Sequence, residues 1–268
     1  MVGISEVPAN WYSSEGIKKG VDTVCQESAL SISITDGSEY IISLGMTMRT
    51  PGMDKELVIG LLFSEGIIDN FNQISDFSII DDDVLVTIPS LIEKDISDFQ
   101  RRISSTSSCG VCGKDSISNL LHIHGPELSD NIIIKSSVIN KCLDDLRKSQ
   151  FLFQNTGGAH ASGLFNINGE LLFIAEDIGR HNAMDKLVGS ILCESPQLFA
   201  DSFILFSGRL SFELVHKARR AGIPVLVAIG APSSLAIDIA LEHGLTLVGF
   251  AKNNNMTVYS GRGRISHY

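Results

Sequence analysis

Residues 203–250 read FILFSGRLSFELVHKARRAGIPVLVAIGAPSSLAIDIALEHGLTLVGF. Three apolar runs, Phe203 to Phe206, Val225 to Ile229 and Thr246 to Phe250, have strand length and sit between polar or glycine-bearing turns. Two stretches of helical length lie between them, Ser211 to Ala221 and Ser233 to His243. Gly222 and Gly244 follow, where left-handed helix ends favour glycine. Strands alternating with helices of this length predict a largely parallel sheet covered on both faces, an α/β fold.

Upstream of this stretch the pattern continues. A helix is expected over Ser137 to Leu146, a hairpin turning at Asn168-Gly169, a strand over Leu171 to Ala175 and a helix over Arg180 to Leu192. The polar motifs gather at strand ends. Glu176-Asp177-Ile178-Gly179-Arg180-His181-Asn182 follows one strand, Ser207-Gly208-Arg209 the next, Ala231-Pro232-Ser233-Ser234 the third and Lys252 to Asn255 the last. The rim at the carboxyl ends of strands is where open α/β sheets bind ligands, and helix N-termini there favour anions. These residues point to a nucleotide or another phosphate-bearing ligand. Helix capping by Asp177, Ser211 and Ser233 is the competing reading.

The N-terminal part reads differently. Leu30, Ile32 and Ile34 alternate, Asp36-Gly37 turns the chain, and Tyr40, Ile42 and Leu44 alternate again. A helix is expected from about Met53 to Glu65, then strands at Ile74 to Ile80 and Val84 to Ile88. Asp81 to Asp83 between them reads as a solvated turn. The expected organisation is a small α+β domain over 1–105, a loop and connection over 106–135, and a three-layer α/β domain over 136–268. Trp11 and the surrounding N-terminal stretch carry no readable function.

The chain has 268 residues, 44% hydrophobic and 19% charged, as in globular proteins. Its formal net charge of −10 argues against broad electrostatic binding to nucleic acid, so an anionic ligand needs a local cluster of donors. No apolar run approaches the ~20 residues of a membrane span. Residues 1–10 lack the features of a secretory signal, and a cytoplasmic location is expected. The five cysteines do not form a disulfide framework. Cys25, Cys142 and Cys193 read as structural thiols.

Cys109 and Cys112 stand apart in Ser107-Ser108-Cys109-Gly110-Val111-Cys112-Gly113-Lys114. A Cys-x-x-Cys loop beside a lysine and ahead of a helix start favours the reactive thiolate. Zinc binding would recruit His122 and His124, whose single-residue spacing misses the usual pattern. Thioredoxin-like exchange would place the pair just after a strand. A zinc deaminase needs His-x-Glu and a downstream Cys-x-x-Cys; His160-Ala161-Ser162 has no glutamate and the cysteine pair lies upstream, so that reading fails. Sulfur transfer suits a nucleophile that accepts sulfur as a persulfide and releases it again.

Several segments together resemble the FdhD family, the sulfurtransferases needed for active formate dehydrogenase. They include Met48-Arg49-Thr50-Pro51-Gly52-Met53-Asp54-Lys55-Glu56-Leu57, Phe63 to Ile68, Ser107 to Lys114 and Thr156-Gly157-Gly158-Ala159-His160. Glu176 to Ala183 with Asp185-Lys186, Ser207 to Glu213 and Leu245 to Phe250 complete the set. The resemblance runs from about Val21 to Tyr259. It implies a C-terminal domain of cytidine-deaminase-like fold without the deaminase zinc site. It also implies sulfur received from a cysteine desulfurase, carried on Cys109 with Cys112 as its companion, and passed to the bis-molybdopterin guanine dinucleotide cofactor. A homodimer, a formate dehydrogenase partner and no structural metal follow in the same way. The guanine-nucleotide end of that cofactor would meet Phe250, Ala251, Lys252, Asn253, Asn254 and Asn255, with Arg180, His181, Ser207, Arg209 and Ser233 along the rim. The stretch Ala251 to Asn255 carries little positive charge for a phosphate grip, which Arg180, Arg209 and Lys252 would supply. A protein that holds the cofactor and docks on formate dehydrogenase without transferring sulfur is the alternative.

Overall fold

The computed structural model describes residues 2–93 and 125–267. Cys109, Cys112, His122 and His124 lie outside the described residues. The chain begins with a hairpin, β1 (Ile4–Ser13) and β2 (Gly16–Cys25), paired antiparallel from Ile4↔Cys25 to Ser13↔Gly16. The N-terminal stretch is therefore regular structure that its composition did not signal. β3 (Ser28–Thr35) and β4 (Ile41–Arg49) form the expected hairpin, followed by α1 (Asp54–Ser64), β5 (Asp76–Ile80) and β6 (Asp83–Thr87). The four strands make one sheet, ordered β4-β3-β6-β5, with Leu30, Ile32 and Ile34 facing the core. Asp82 is more than a solvated turn residue: it accepts from Arg49 Nη2 at 2.7 Å, and Arg49 also bonds Asp54 and Ser28.

The second half contains β7 (Ile134–Lys135), α2 (Ser136–Ser149), α3 (Phe151–Thr156), β8 (His160–Asn166), β9 (Leu171–Asp177) and α4 (Arg180–Glu194). Next come β10 (Ser202–Phe206), α5 (Phe212–Ala221), β11 (Val225–Ala228), α6 (Ser234–Glu242), β12 (Thr246–Lys252), β13 (Asn255–Ser260) and β14 (Ile265–Ser266). Six strands form a sheet in the order β13-β12-β11-β10-β8-β9. The sheet is mixed, not largely parallel. β10, β11 and β12 are parallel, while β8 runs against both β10 and β9, and β13 runs against β12. The last reversal has a local cause. Asn253 and Asn254 have φ of 52° and 59°, the paired left-handed conformation of a tight hairpin turn, so the chain continues into a strand the sequence reading had not anticipated. Gly222 and Gly244 do occupy left-handed positions after α5 and α6.

Successive side chains of β10 serve opposite faces, as strand geometry requires. Ile204 and Phe206 join the cluster containing Leu187 and Val188 of α4, Leu214 of α5 and Ile239 of α6. Phe203 and Leu205 join Ile139, Cys142 and Leu146 of α2 on the other side. The first cluster continues through Leu57 and Leu62 of α1 to Ile32 and Val84 of the N-terminal sheet, so one apolar core runs between the two sheets. Its tightest point is the contact of α1 with α4. A Cβ on Gly60 would overlap the Asp185 carbonyl oxygen, and one on Gly189 would overlap that of Glu56. The helices touch backbone to backbone. Beside this contact Lys217 Nζ pairs with Asp185 at 2.6 Å, and Ser64 donates to the same carboxylate at 3.0 Å.

Candidate functional site

Strand direction brings the polar motifs to one edge. The C-terminal ends of β9, β10, β11 and β12 share it, and antiparallel β8 begins there, with His160 opposite Asp177. Backbone bonds stitch the loops together. Ser207 N donates to Ala161 O at 3.0 Å, Gly230 N to Gly208 O at 3.0 Å, Ser233 N to Leu210 O at 2.9 Å and Phe250 N to Gly230 O at 3.1 Å. A side chain on Gly230 would meet Gly208 O at 2.7 Å and Arg209 Cα at 2.9 Å, so the two loops approach only because position 230 is glycine. His160, Gly208, Arg209, Gly230 and Phe250 thus form a continuous row.

Several polar residues of the motifs hold the row in place. Asp177 is fully buried; it accepts from Thr50 N at 3.0 Å, Gly179 N at 2.8 Å and Asn182 Nδ2 at 3.1 Å, and pairs with Lys186 Nζ at 2.7 Å. Lys186 also donates to Thr50 O at 2.8 Å. The turn before α1 is thereby tied to the turn before α4, and the buried charges are each compensated by several bonds. Glu176 accepts from Leu152 N at 2.8 Å and Phe153 N at 3.0 Å, capping α3, and burial raises its carboxyl above the ordinary value despite those bonds. Ser207 Oγ accepts from Ala161 N at 2.8 Å, and Ser233 Oγ accepts from Ala236 N at 3.2 Å as a helix cap. Each of these hydroxyls accepts from backbone and keeps its own proton to donate. The Ala251 side chain is buried in the core.

What remains facing outward is cationic and aromatic. Arg180 starts α4 and Arg209 precedes α5, and among the described residues no ion pair engages either guanidinium. Gly179 and Ser211, the cap positions of those helices, make no side-chain cap bond; Glu213 already places a carboxylate in the first turn of α5, whereas α4 has no acidic residue in its first turn and presents a positive dipole end to an anion. Phe250 has φ 52° and is 43% exposed. A bulky residue in the left-handed region is strained, and such strain clusters at ligand sites. Lys252, Asn253, Asn254 and Asn255 are exposed at the adjoining hairpin turn. The row can therefore grip phosphate through arginines and the N-terminus of α4 and offer an aromatic face to a base.

His181 Nε2 lies 3.2 Å from Ser211 Oγ and 3.7 Å from Glu213 Oε2, the latter an ion-pair distance and too long for a hydrogen bond. Burial pushes the Glu213 carboxyl up, but the favourable contacts of His181 and Ser211 prevail and lower it to about 2. Its contribution to stability is then present above the unfolded carboxyl value of 4.5 and lost as pH falls toward about 2. In urea unfolding at pH 7, Glu213→Gln should be less stable than wild type, and the gap should close between pH 4.5 and about 2. A gap independent of pH contradicts this pairing.

The structure also adds residues that sequence reasoning passed over. Thr50 Oγ1 accepts from Ile178 N at 3.0 Å and lies 3.2 Å from Cys25 Sγ. Burial raises the Cys25 thiol, in keeping with a structural role. Arg49-Thr50 followed by Pro51-Gly52 was visible as a motif, but only the fold shows that it braces the rim. Among the described residues no group of three metal-binding side chains gathers, and no helix is long and apolar enough to cross a membrane. A cavity of about 620 Å³, lined by Phe63, Phe71, Cys193, Phe199 and Arg220, lies at the opposite ends of α4 and α5 from the rim.

Comparison with known proteins gives concordant matches. The FdhD/NarQ family model matches residues 25–266. The sulfur carrier protein FdhD of Saccharolobus solfataricus is 40% identical over 247 residues, covering 92% of each chain. That of Thermoplasma acidophilum is 38% identical over 259 residues, covering 96% of this chain and 91% of its own. A crystal structure from Desulfotalea psychrophila, described as a candidate formate dehydrogenase accessory protein, superposes with a TM-score of 0.77 at 25% identity over 98% of this chain and 99% of that one.

Proposed function

The chain belongs to the FdhD/NarQ family, and from that premise we propose that it is a sulfur carrier of formate dehydrogenase maturation. In this reading Cys109 thiolate attacks the outer sulfur of a persulfide on a cysteine desulfurase. The sulfur–sulfur bond breaks, the donor thiolate leaves, and Cys109 becomes the persulfide. The cargo acceptor is the bis-molybdopterin guanine dinucleotide cofactor: the bond between Cys109 Sγ and the outer sulfur breaks, the reduced metal of the cargo would supply the two electrons that make that sulfur a sulfide ligand, and Cys109 leaves as thiolate. The protein works in the cytoplasm as a homodimer, with Cys112 keeping the loop thiolate reactive or clearing leftover persulfide.

The observation that supports a guanine-nucleotide cargo is the rim itself. Arg180 and Arg209 flank two helix N-termini with no ion pair among the described residues, beside the exposed ring of Phe250. Arg180, Arg209 and Lys252 hold the phosphates, Phe250 stacks on the base, and the hairpin turn of Asn253 and Asn254 borders it. A carrier that only holds and delivers the cofactor is the second reading: it needs Arg180, Arg209 and Phe250 at the rim and no thiol.

The rim is tested with guanosine diphosphate as probe on the full-length chain. Removing one charge-assisted contact costs about 1.5–3 kcal/mol, so Arg209→Ala should weaken affinity about tenfold or more. Unchanged affinity would contradict the placement of the nucleotide.

A further inference from the structure

His160 stands in the rim without an assigned task. It is the first residue of β8, opposite Asp177 in register and one strand away from the loop of Ser207 to Arg209. Its ring lies over Gly208: a Cβ there would stand 3.1 Å from Nδ1 and 3.3 Å from Cε1. The absent side chain is what lets the imidazole occupy the row between the two arginine-bearing loops. The ring is half-buried.

Charged groups reach it from every neighbouring element. α4 brings Arg180 and His181, and the loop before α5 brings Arg209. β9 brings Asp177, whose carboxylate is already paired with Lys186. Glu213 of α5 faces His181. Burial, then Arg180, His181 and Arg209, push the His160 imidazole below its ordinary value, so the neutral ring prevails while the rim holds no anion. A neutral imidazole offers one donor and one acceptor nitrogen, and the acceptor is mismatched to a phosphate oxygen. An anion between the arginines offsets their field and gives a second donor nitrogen a partner.

We propose that His160 is a binding residue of the anion rim and takes up a proton when a nucleoside diphosphate occupies it. The inference rests on the reading of the rim as a nucleotide site and adds the protonation state in which that site binds. The sign follows from linkage. Protonation is easier in the complex than in the free protein, so affinity is level at high pH, rises as pH falls through the value in the complex, and levels again below the value in the free protein. The gain is about tenfold for each unit separating the two values. The terminal phosphate of the nucleotide works oppositely, since selecting its dianion releases a proton near pH ~6. The direction of proton flow therefore separates the two sources.

The test is calorimetry of guanosine diphosphate binding to the full-length chain from pH 5.5 to 8, in paired buffers of different ionisation enthalpy. Wild type should bind more tightly toward acid with net proton uptake. His160→Asn, or the longer His160→Gln if asparagine disturbs folding, should lose both and show only the proton release of the nucleotide. Superimposable profiles for wild type and the His160 variant overturn the proposal. Arg209→Ala run alongside locates any failure. If Arg209→Ala binds like wild type, the nucleotide does not occupy the rim and the inference falls with that reading. If it loses binding while the His160 variant keeps wild-type proton uptake, the role of His160 alone falls.

Discussion

Replacing Cys109 by alanine should reduce activation of formate dehydrogenase to background in cells lacking another copy of the protein, while guanosine diphosphate binds with wild-type affinity. The two halves of this result rest on different parts of the molecule. Sulfur transfer needs a polarizable thiolate that forms and breaks sulfur–sulfur bonds, and no methyl group substitutes for it. On the proposed reading, nucleotide affinity would rest on Arg180, Arg209 and the rim around them, none of which depends on a thiol. Activation retained by Cys109→Ala would shift the function to cofactor delivery without sulfur transfer. Joint loss of activation and nucleotide binding in a folded variant would contradict the separation of carrier and grip.

Gly189→Ala should destabilise the protein by about 3 kcal/mol, the upper part of the usual range for overpacking. The added methyl group would overlap the backbone carbonyl of Glu56, and backbone cannot swing aside as a flexible side chain can. α1 and α4 would have to separate, loosening Leu57 and Leu62 against Leu187 and Val188 in the core between the sheets. The rim should suffer too, because Asp177 and Lys186 reach across to Thr50 near this contact. Urea unfolding measures the effect, with Gly263→Ala as control, since nothing lies within 4 Å of a Cβ there. A loss below about 0.5 kcal/mol, the range of ordinary surface substitutions, would show that the helices adjust freely.

The periodic parts of the fold were readable from sequence, and the parts fixed by tertiary contact were not. Val225 to Ala228 and the helix ending at Gly222 follow from apolar runs and one glycine. The hairpin at Asn168-Gly169 set β8 against β9 from sequence alone, but strand period is the same whether a neighbour is parallel or antiparallel, so the antiparallel pairing of β8 with β10 was not legible. β13 was missed because Asn253-Asn254 reads as generic polar loop until its left-handed dihedrals are known. β1 and β2 expose apolar residues such as Trp11, Tyr12, Ile17 and Val21, so the inward–outward alternation that marks a strand is weak there.

The candidate site was legible as a set of motifs at strand ends but not as a division of labour. Glu176, Asp177, Arg180 and His181 look equally polar in sequence. The fold spends Glu176 on capping α3 and Asp177 on Lys186 and Thr50, while Arg180 remains outward. Ser207 and Ser233 were expected at the ligand, and the fold adds a second task that sequence does not show, since each hydroxyl oxygen accepts from a backbone N–H. His160 showed only as the end of Thr156 to His160, and it is the missing side chain at Gly208 that leaves room for its ring in the row.

The most direct measurement of the central claim is intact-protein mass spectrometry after incubation with a cysteine desulfurase and cysteine, wild type beside Cys109→Ala. A sulfur-sized mass increase is expected on wild type, removed by a thiol reductant and absent from the variant. No increase on reduced, competent wild-type protein, or an equal increase on both proteins, would contradict sulfur carriage on Cys109.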